Sequence, residues 1–208
     1  MKAGLVAVVL LGVALGVQIV PFPEQPEGFK LGPATSNITL DVYYDHLCSD
    51  SAAAFPALYE YWEKHQDWLQ LVIHIYPLPY HTYAFPVAQA GKFIQTNYTD
   101  QFVNYLTYMF KNQNTYLVNA LGWEWTTIMT RLAQDTETAT GVPSSQVLAA
   151  LNDEGVNWLT RVSWKYATTR NVPGTPIYFV NGVWVPDVTN YVHYYDWWLF
   201  FDTLSKLE

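Results

Sequence analysis

The sequence predicts an α/β fold in which a strand–helix–strand unit is followed by a block of helices and closed by a β-hairpin and a last helix. Three observations carry this. Period-2 alternation over 37–44 (NITLDVYY) and an apolar run over 68–76 (WLQLVIHIY) bracket a helical pattern over 51–65. Five further stretches with helical periodicity fill 84–169. Asn181-Gly182 then separates two short β-forming runs, 177–180 and 183–185, and a dipeptide that tolerates positive φ at both turn positions is a strong hairpin signal.

The elements follow in chain order. Lys2 and the uncharged apolar stretch after it, ending in the small residues Ala14 and Gly16, read as a secretory signal peptide over 1–16. Gln18 and Pro21 interrupt the apolar stretch before it reaches the length of a membrane span, so no anchor is expected once the signal is cleaved. Residues 17–36 hold Pro21, Pro23, Pro26 and Pro33 and read as a Pro/Gly-rich linker or arm. The first strand ends just before Cys48. Ser49, Asp50 and Ser51 are candidate caps of the helix that follows, and Pro56 is expected to kink it. The second strand, apolar enough for burial on both faces, completes a βαβ unit. The helical segments 84–96, 100–111, 125–135, 144–151 and 156–169 are punctuated by Gly122, Gly141 and Gly155, and an amphipathic stretch over 194–204 closes the chain.

Charge disfavours two classes of partner. Ten Lys and Arg against 18 Asp and Glu give a formal net charge of −8, the wrong sign for a sequence-independent grip on nucleic acid or on an anionic membrane. Half of the 208 residues are hydrophobic and 17% aromatic, enough for a sizeable core, so the chain is globular and not disordered. No Walker loop, GxSxG elbow, GxGxxG or HExxH spacing occurs, and one cysteine excludes a cysteine-rich zinc site, so no metal is expected.

That single cysteine is the informative residue. A chain on a secretory route with only Cys48 forms no internal disulfide, so the thiol is buried and inert, paired with another molecule, or chemically used. Its place at a strand end, opening a helix as Cys48-Ser49-Asp50-Ser51, exposes it to free backbone amides and the positive end of the helix dipole, which favour a thiolate. Asp50 opposes this, and Ser51 has a hydroxyl to offer the sulfur. His46, two residues earlier, is either an ion-pair partner for the thiolate or a solvated turn histidine. His74 reads as a satisfied core or edge strand residue, His65 as a helix-end cation, and His81 as a residue making a structural hydrogen bond.

The Cys48-x-x-Ser51 helix start, Pro56 five residues on, and Gly174-Thr175-Pro176-Ile177-Tyr178-Phe179-Val180-Asn181-Gly182 together resemble the thioredoxin fold, and more narrowly its DsbA-like branch, over roughly residues 37 to 207. The resemblance implies a thioredoxin-like core over 37–82 and 171–208 with an all-helical insertion over 83–170. It also implies a cis Thr175-Pro176 bond whose loop lies against Cys48 and presents main chain to an extended peptide. The implied catalytic residues are Cys48, Ser51, Thr175 and Pro176, with Ser49 and Asp50 as binding residues. DsbA-like oxidases use two cysteines, and Ser51 stands at the second position, so dithiol oxidation is excluded. Monothiol exchange with thiol or mixed-disulfide protein clients remains, as in the CxxS sites of monothiol glutaredoxins, with glutathione as candidate co-substrate and no resident cofactor. Two alternatives stay open: a redox-inactive scaffold that binds extended polypeptide, and a kappa-class glutathione-transferase-like enzyme. The expected location is the secretory-pathway lumen or the exterior. There the acceptor triplets Asn37-Ile38-Thr39 and Asn97-Tyr98-Thr99 are candidate N-glycosylation sites.

Overall fold

A computed structural model describes residues 26–206. The expected signal peptide over 1–16 and the extension as far as residue 25 lie outside the described residues. The elements are β1 (Phe29–Leu31), β2 (Ile38–Tyr44), α1 (Ser49–His65), β3 (Leu69–Ile75), α2 (Ala84–Asn97), α3 (Phe102–Lys111), α4 (Asn114–Leu117), α5 (Trp125–Thr140), α6 (Ser144–Leu151), α7 (Glu154–Thr169), β4 (Ile177–Val180), β5 (Val183–Trp184) and α8 (Tyr194–Leu204).

The strands form one sheet in the order β1-β3-β2-β4-β5. β2 and β3 run parallel from Ile38 opposite Leu69 to Tyr44 opposite Ile75, as a crossover through α1 requires. β4 lies antiparallel on the other side of β2, with Tyr43 opposite Ile177. Because side chains alternate, each strand sends one set to each face. Leu40, Val42 and Tyr44 of β2 and Leu71, Ile73 and Ile75 of β3 join Phe55, Leu58 and Tyr61 of α1 and Trp197 and Phe201 of α8 in the main core, which continues into the inserted helices. On the other face Tyr43, Tyr76, Ile177 and Phe179 form a second buried cluster with Cys48 and with Ala167 of α7. The apolar β3 is buried on both faces because it is an inner strand.

Several boundaries differ from the sequence reading, each for a local reason. Helix α1 begins at Ser49, with Cys48 as its N-cap, so Ser49, Asp50 and Ser51 are its first residues and not its caps. It passes Pro56 without interruption, and the ring lies on the exposed side. Helix α5 runs on to Thr140, where Gly141 adopts φ 74° and ends it. The short α4 had no periodic signal to announce it.

The largest correction concerns the extension over 17–36. It is not a free linker throughout, because its 29–31 segment is β1, hydrogen-bonded antiparallel to β3 with Phe29 opposite Ile73. Gly28 makes the approach. At φ +108° a Cβ there would lie 2.4 Å from Val72 Cγ1, so the main chain reaches β3 only without a side chain.

The hairpin turns on Asn181 and Gly182 at φ 48° and 80°. Asn181 is more than a turn residue. Its Oδ1 accepts from the Thr39 amide at 2.8 Å and its Nδ2 donates to the Asn37 carbonyl at 3.0 Å, fastening the hairpin to the entry of β2. Asn181→Ala should therefore cost about 1–2 kcal/mol, through two lost hydrogen bonds and a strained left-handed residue. Asn181→Gly should recover only the backbone share, and thermal unfolding of the two variants measures the split.

Candidate active site

The site is assembled where β2 ends. Residues 45–48 turn back so that the Cys48 amide donates to the Asp45 carbonyl at 3.1 Å, and the Cys48 carbonyl accepts the first helical bond from Ala52 at 3.0 Å. The thiol thus stands at the start of a 17-residue helix, 7% exposed. Across the site the loop before β4 brings in Thr175, and the Cys48 Sγ–H donates to the Thr175 carbonyl at 3.2 Å. The Thr175-Pro176 peptide bond is cis, Pro176 is buried, and the Thr175 hydroxyl has no hydrogen-bond partner among the described residues. Two segments 127 residues apart therefore meet at one sulfur.

The other expected site residues divide. Ser51 is fully buried, but its hydroxyl finds no hydrogen-bond partner among the described residues, the sulfur included. Ser49 and Asp50 are exposed and interact with each other, Ser49 Oγ lying 3.5 Å from Asp50 Oδ1. Asn37 and Asn97 are exposed. Asn97 closes α2, its amide donating to the Phe93 carbonyl at 3.0 Å. Asn37 precedes β2, which Cys48 follows, so it lies at the opposite end of the sheet, on the wall of a cleft of about 830 Å³ shared with Trp68, Trp198 and Phe201.

His46 corrects both options the sequence left for it. The ring is buried against Tyr105 and Phe110 with neither nitrogen hydrogen-bonded among the described residues, and burial pushes its pKa down to about 3. It is neutral, unsolvated and no ion-pair partner. His81 does make a structural hydrogen bond, through Nδ1 to Asp45 Oδ2 at 2.6 Å. His74 is satisfied on both nitrogens, by Glu27 at 2.5 Å and Asp41 at 2.8 Å.

Three residues that hold the site went unread in the sequence. Asp45, fully buried, accepts from the Leu47 amide at 2.9 Å through Oδ1, and from the Leu78 amide at 3.1 Å and His81 through Oδ2, tying the cysteine turn to the loop after β3. Burial raises its pKa against the lowering effect of these donors. An Asp bonding the amide two residues on is an Asx turn, so the Asp45-His46-Leu47 signal was there to be found. Gln113 donates through Nε2 to the carbonyls of His46 at 3.0 Å and Cys48 at 2.8 Å, and no local pattern foretells a contact across 65 residues. Glu27 sits under the same face of the sheet. It bonds His74, Lys92 at 3.0 Å and Ser163 at 2.6 Å, and although burial alone would raise its pKa, these partners bring it down to about 2.

No protein-family model matches the chain, and no curated protein is detectably similar to it in sequence. Solved structures are similar in fold. BdbD from Bacillus subtilis superposes with a TM-score of 0.66 at 17% identity, covering 86% of this chain and 91% of its own. The α-DsbA1 protein of Wolbachia pipientis gives 0.65 at 16% identity, with 91% and 97% covered. MdbA of Actinomyces oris, a thiol-disulfide oxidoreductase, gives 0.59 at 16%, with 79% and 85% covered. The chain thus has the DsbA-like thioredoxin fold, an α/β core whose βαβ unit and hairpin are separated by inserted helices.

Proposed function

We propose that this protein is a monothiol thiol-disulfide exchange enzyme of the secretory pathway or exterior, acting through Cys48. The observation that carries the reading is the meeting of Cys48 Sγ, at the first turn of α1, with the Thr175 carbonyl of the Gly174-Thr175-Pro176 loop. A likeness of fold to a thiol-disulfide oxidoreductase supports it. The targeting segment and the triplets at Asn37 and Asn97, proposed to be glycosylated, support the location.

The chemistry balances without a second cysteine. The Cys48 thiol loses its proton to solvent and its sulfur attacks one sulfur of a mixed disulfide between a client and glutathione. The client leaves as a thiolate and takes up a proton, and Cys48 holds the glutathione. A second glutathione thiolate then attacks that adduct, releasing glutathione disulfide and restoring Cys48. The exposed Ser49 and Asp50 follow Cys48 on the first turn of α1, and Thr175 offers main chain to an extended client.

Native protein incubated with oxidised glutathione should gain one glutathione by intact mass, on Cys48, and should turn over a glutathionylated peptide. Cys48→Ala should do neither. A second reading, a redox-inactive binder of extended polypeptide, draws on the low exposure of Cys48. It predicts that the thiol stays unmodified until the protein is denatured, and that result would overturn the exchange reading.

A further inference from the structure

We infer that Gln113 is a positioning residue for Cys48, through which the inserted helices set the geometry of the thiol turn. This rests on the exchange reading only in so far as turnover is one of its readouts. The two hydrogens of one side-chain amide go to two carbonyls of the same turn, those of His46 and Cys48. His46 is 1% exposed, and Gln113 is the partner its carbonyl finds among the described residues. The Cys48 carbonyl also takes the first bond of α1, so Gln113 grips the point where turn becomes helix.

The grip is itself held. Gln113 lies between Tyr108, whose hydroxyl donates to Asp135 Oδ1 at 3.1 Å, and Tyr116, whose hydroxyl donates to Asp135 Oδ2 at 2.8 Å. Asp135 is 4% exposed and receives Arg131 Nε at 2.9 Å as well. One buried carboxylate on α5 thus brackets the segment on both sides of Gln113. The segment in turn fixes the turn carrying the sulfur. The inserted helices do more than cover the core: they reach the main chain of the thiol turn through hydrogen bonds from Gln113 to the His46 and Cys48 carbonyls.

The test compares Gln113→Ala with the near-isosteric Gln113→Glu, reading Cys48 alkylation by iodoacetamide and turnover of a glutathionylated peptide between pH 5 and 8. Circular dichroism checks the fold. Loss of both donors should raise the alkylation rate several-fold and lower turnover about tenfold, since displacement of a reacting group by a fraction of an ångström costs that much. Glu differs from Ala in one respect: protonated, it donates one hydrogen bond, and ionised, it sets a negative charge against two carbonyl oxygens. The ratio of Gln113→Glu to wild type should therefore move away from one as pH rises, while the Gln113→Ala ratio stays flat. Should Gln113→Ala not fold, the pH trend of Gln113→Glu decides alone. Alkylation equal to wild type in the folded variants, with no pH trend for Glu, overturns the assignment. Wild-type protein that is inert in turnover while alkylation responds to Gln113 would sink the exchange reading and leave the positioning role standing.

Discussion

Glu27→Ala is expected to lower the free energy of unfolding by about 3–5 kcal/mol, the cost of removing one partner from a buried ion pair. Glu27 is 7% exposed, and its carboxylate answers His74, Lys92 and Ser163 together. His74 lies between the rings of Tyr43 and Tyr166, at 4.4 Å and 5.3 Å, and cannot find water in place of the lost carboxylate. Glu27 also tethers β1, so its loss should loosen the edge of the sheet. Tyr43 carries the disturbance toward the thiol, since it packs in the cluster that contains Cys48.

The pH dependence has a definite sign. Glu27 is held at about 2 against an ordinary 4.5, so its contribution is complete above pH 4.5 and fades as pH falls toward 2. His74 is buried, which alone would lower its pKa, yet the hydrogen bonds and charges of Asp41 and Glu27 raise it. Its contribution is therefore complete below pH 6.5 and lost as pH rises through its elevated value. Asp45, raised by burial, works against Glu27 in acid, because its contribution is complete below pH 3.8 and declines as pH rises. Urea unfolding at pH 3, 5.5 and 8.5 should show wild type most stable at the middle value, with Glu27→Gln flattening the acid limb. A change under 1 kcal/mol in Glu27→Ala would show that the network is not what holds the arm.

What the sequence disclosed follows from the range of the interactions involved. The strands 38–44 and 69–75 and the helices 144–151 and 194–204 were legible because their apolar periodicity is local and long enough to repeat. The hairpin was legible because Asn181-Gly182 is a conformational requirement written in two residues. β1 was not, since Phe29–Leu31 is too short to show a period and exists only because β3 offers it an edge. The same division runs through the site. Cys48 stood out by its place at a helix start, and the Thr175-Pro176 loop by its resemblance to a known motif. Ser51 has a hydroxyl to offer the sulfur, but whether it is used depends on packing, and among the described residues the buried hydroxyl finds no partner. Gln113 and Glu27 act over 65 and 47 residues, where no window of sequence connects donor to acceptor.

Asp45→Ala should be the most damaging substitution at the site that leaves the sulfur itself in place. The carboxylate is fully buried and serves three donors: the amides of Leu47 and Leu78, and His81 Nδ1. Alanine leaves two main-chain amides without an acceptor, at about 1–3 kcal/mol each, so a total loss of about 3–5 kcal/mol is expected. Asp45→Asn keeps an acceptor on one side but turns an NH2 toward a donor on the other, and should recover only part of this. His81→Ala removes the 2.6 Å bond alone and should cost about 1 kcal/mol. If the three groups act as one unit, the Asp45→Ala/His81→Ala double variant should be little worse than Asp45→Ala, because the carboxylate that His81 served has already gone. The consequence reaches the thiol through the turn: Leu47 precedes Cys48, and freeing its amide loosens the turn that sets Cys48 Sγ against the Thr175 carbonyl. Glutathione adduct formation by folded Asp45→Ala, measured well below its unfolding midpoint, should therefore differ from wild type, while His81→Ala stays close to it. Wild-type adduct kinetics in a folded Asp45→Ala protein would mean that α1 alone fixes the sulfur and that Asp45 serves stability only.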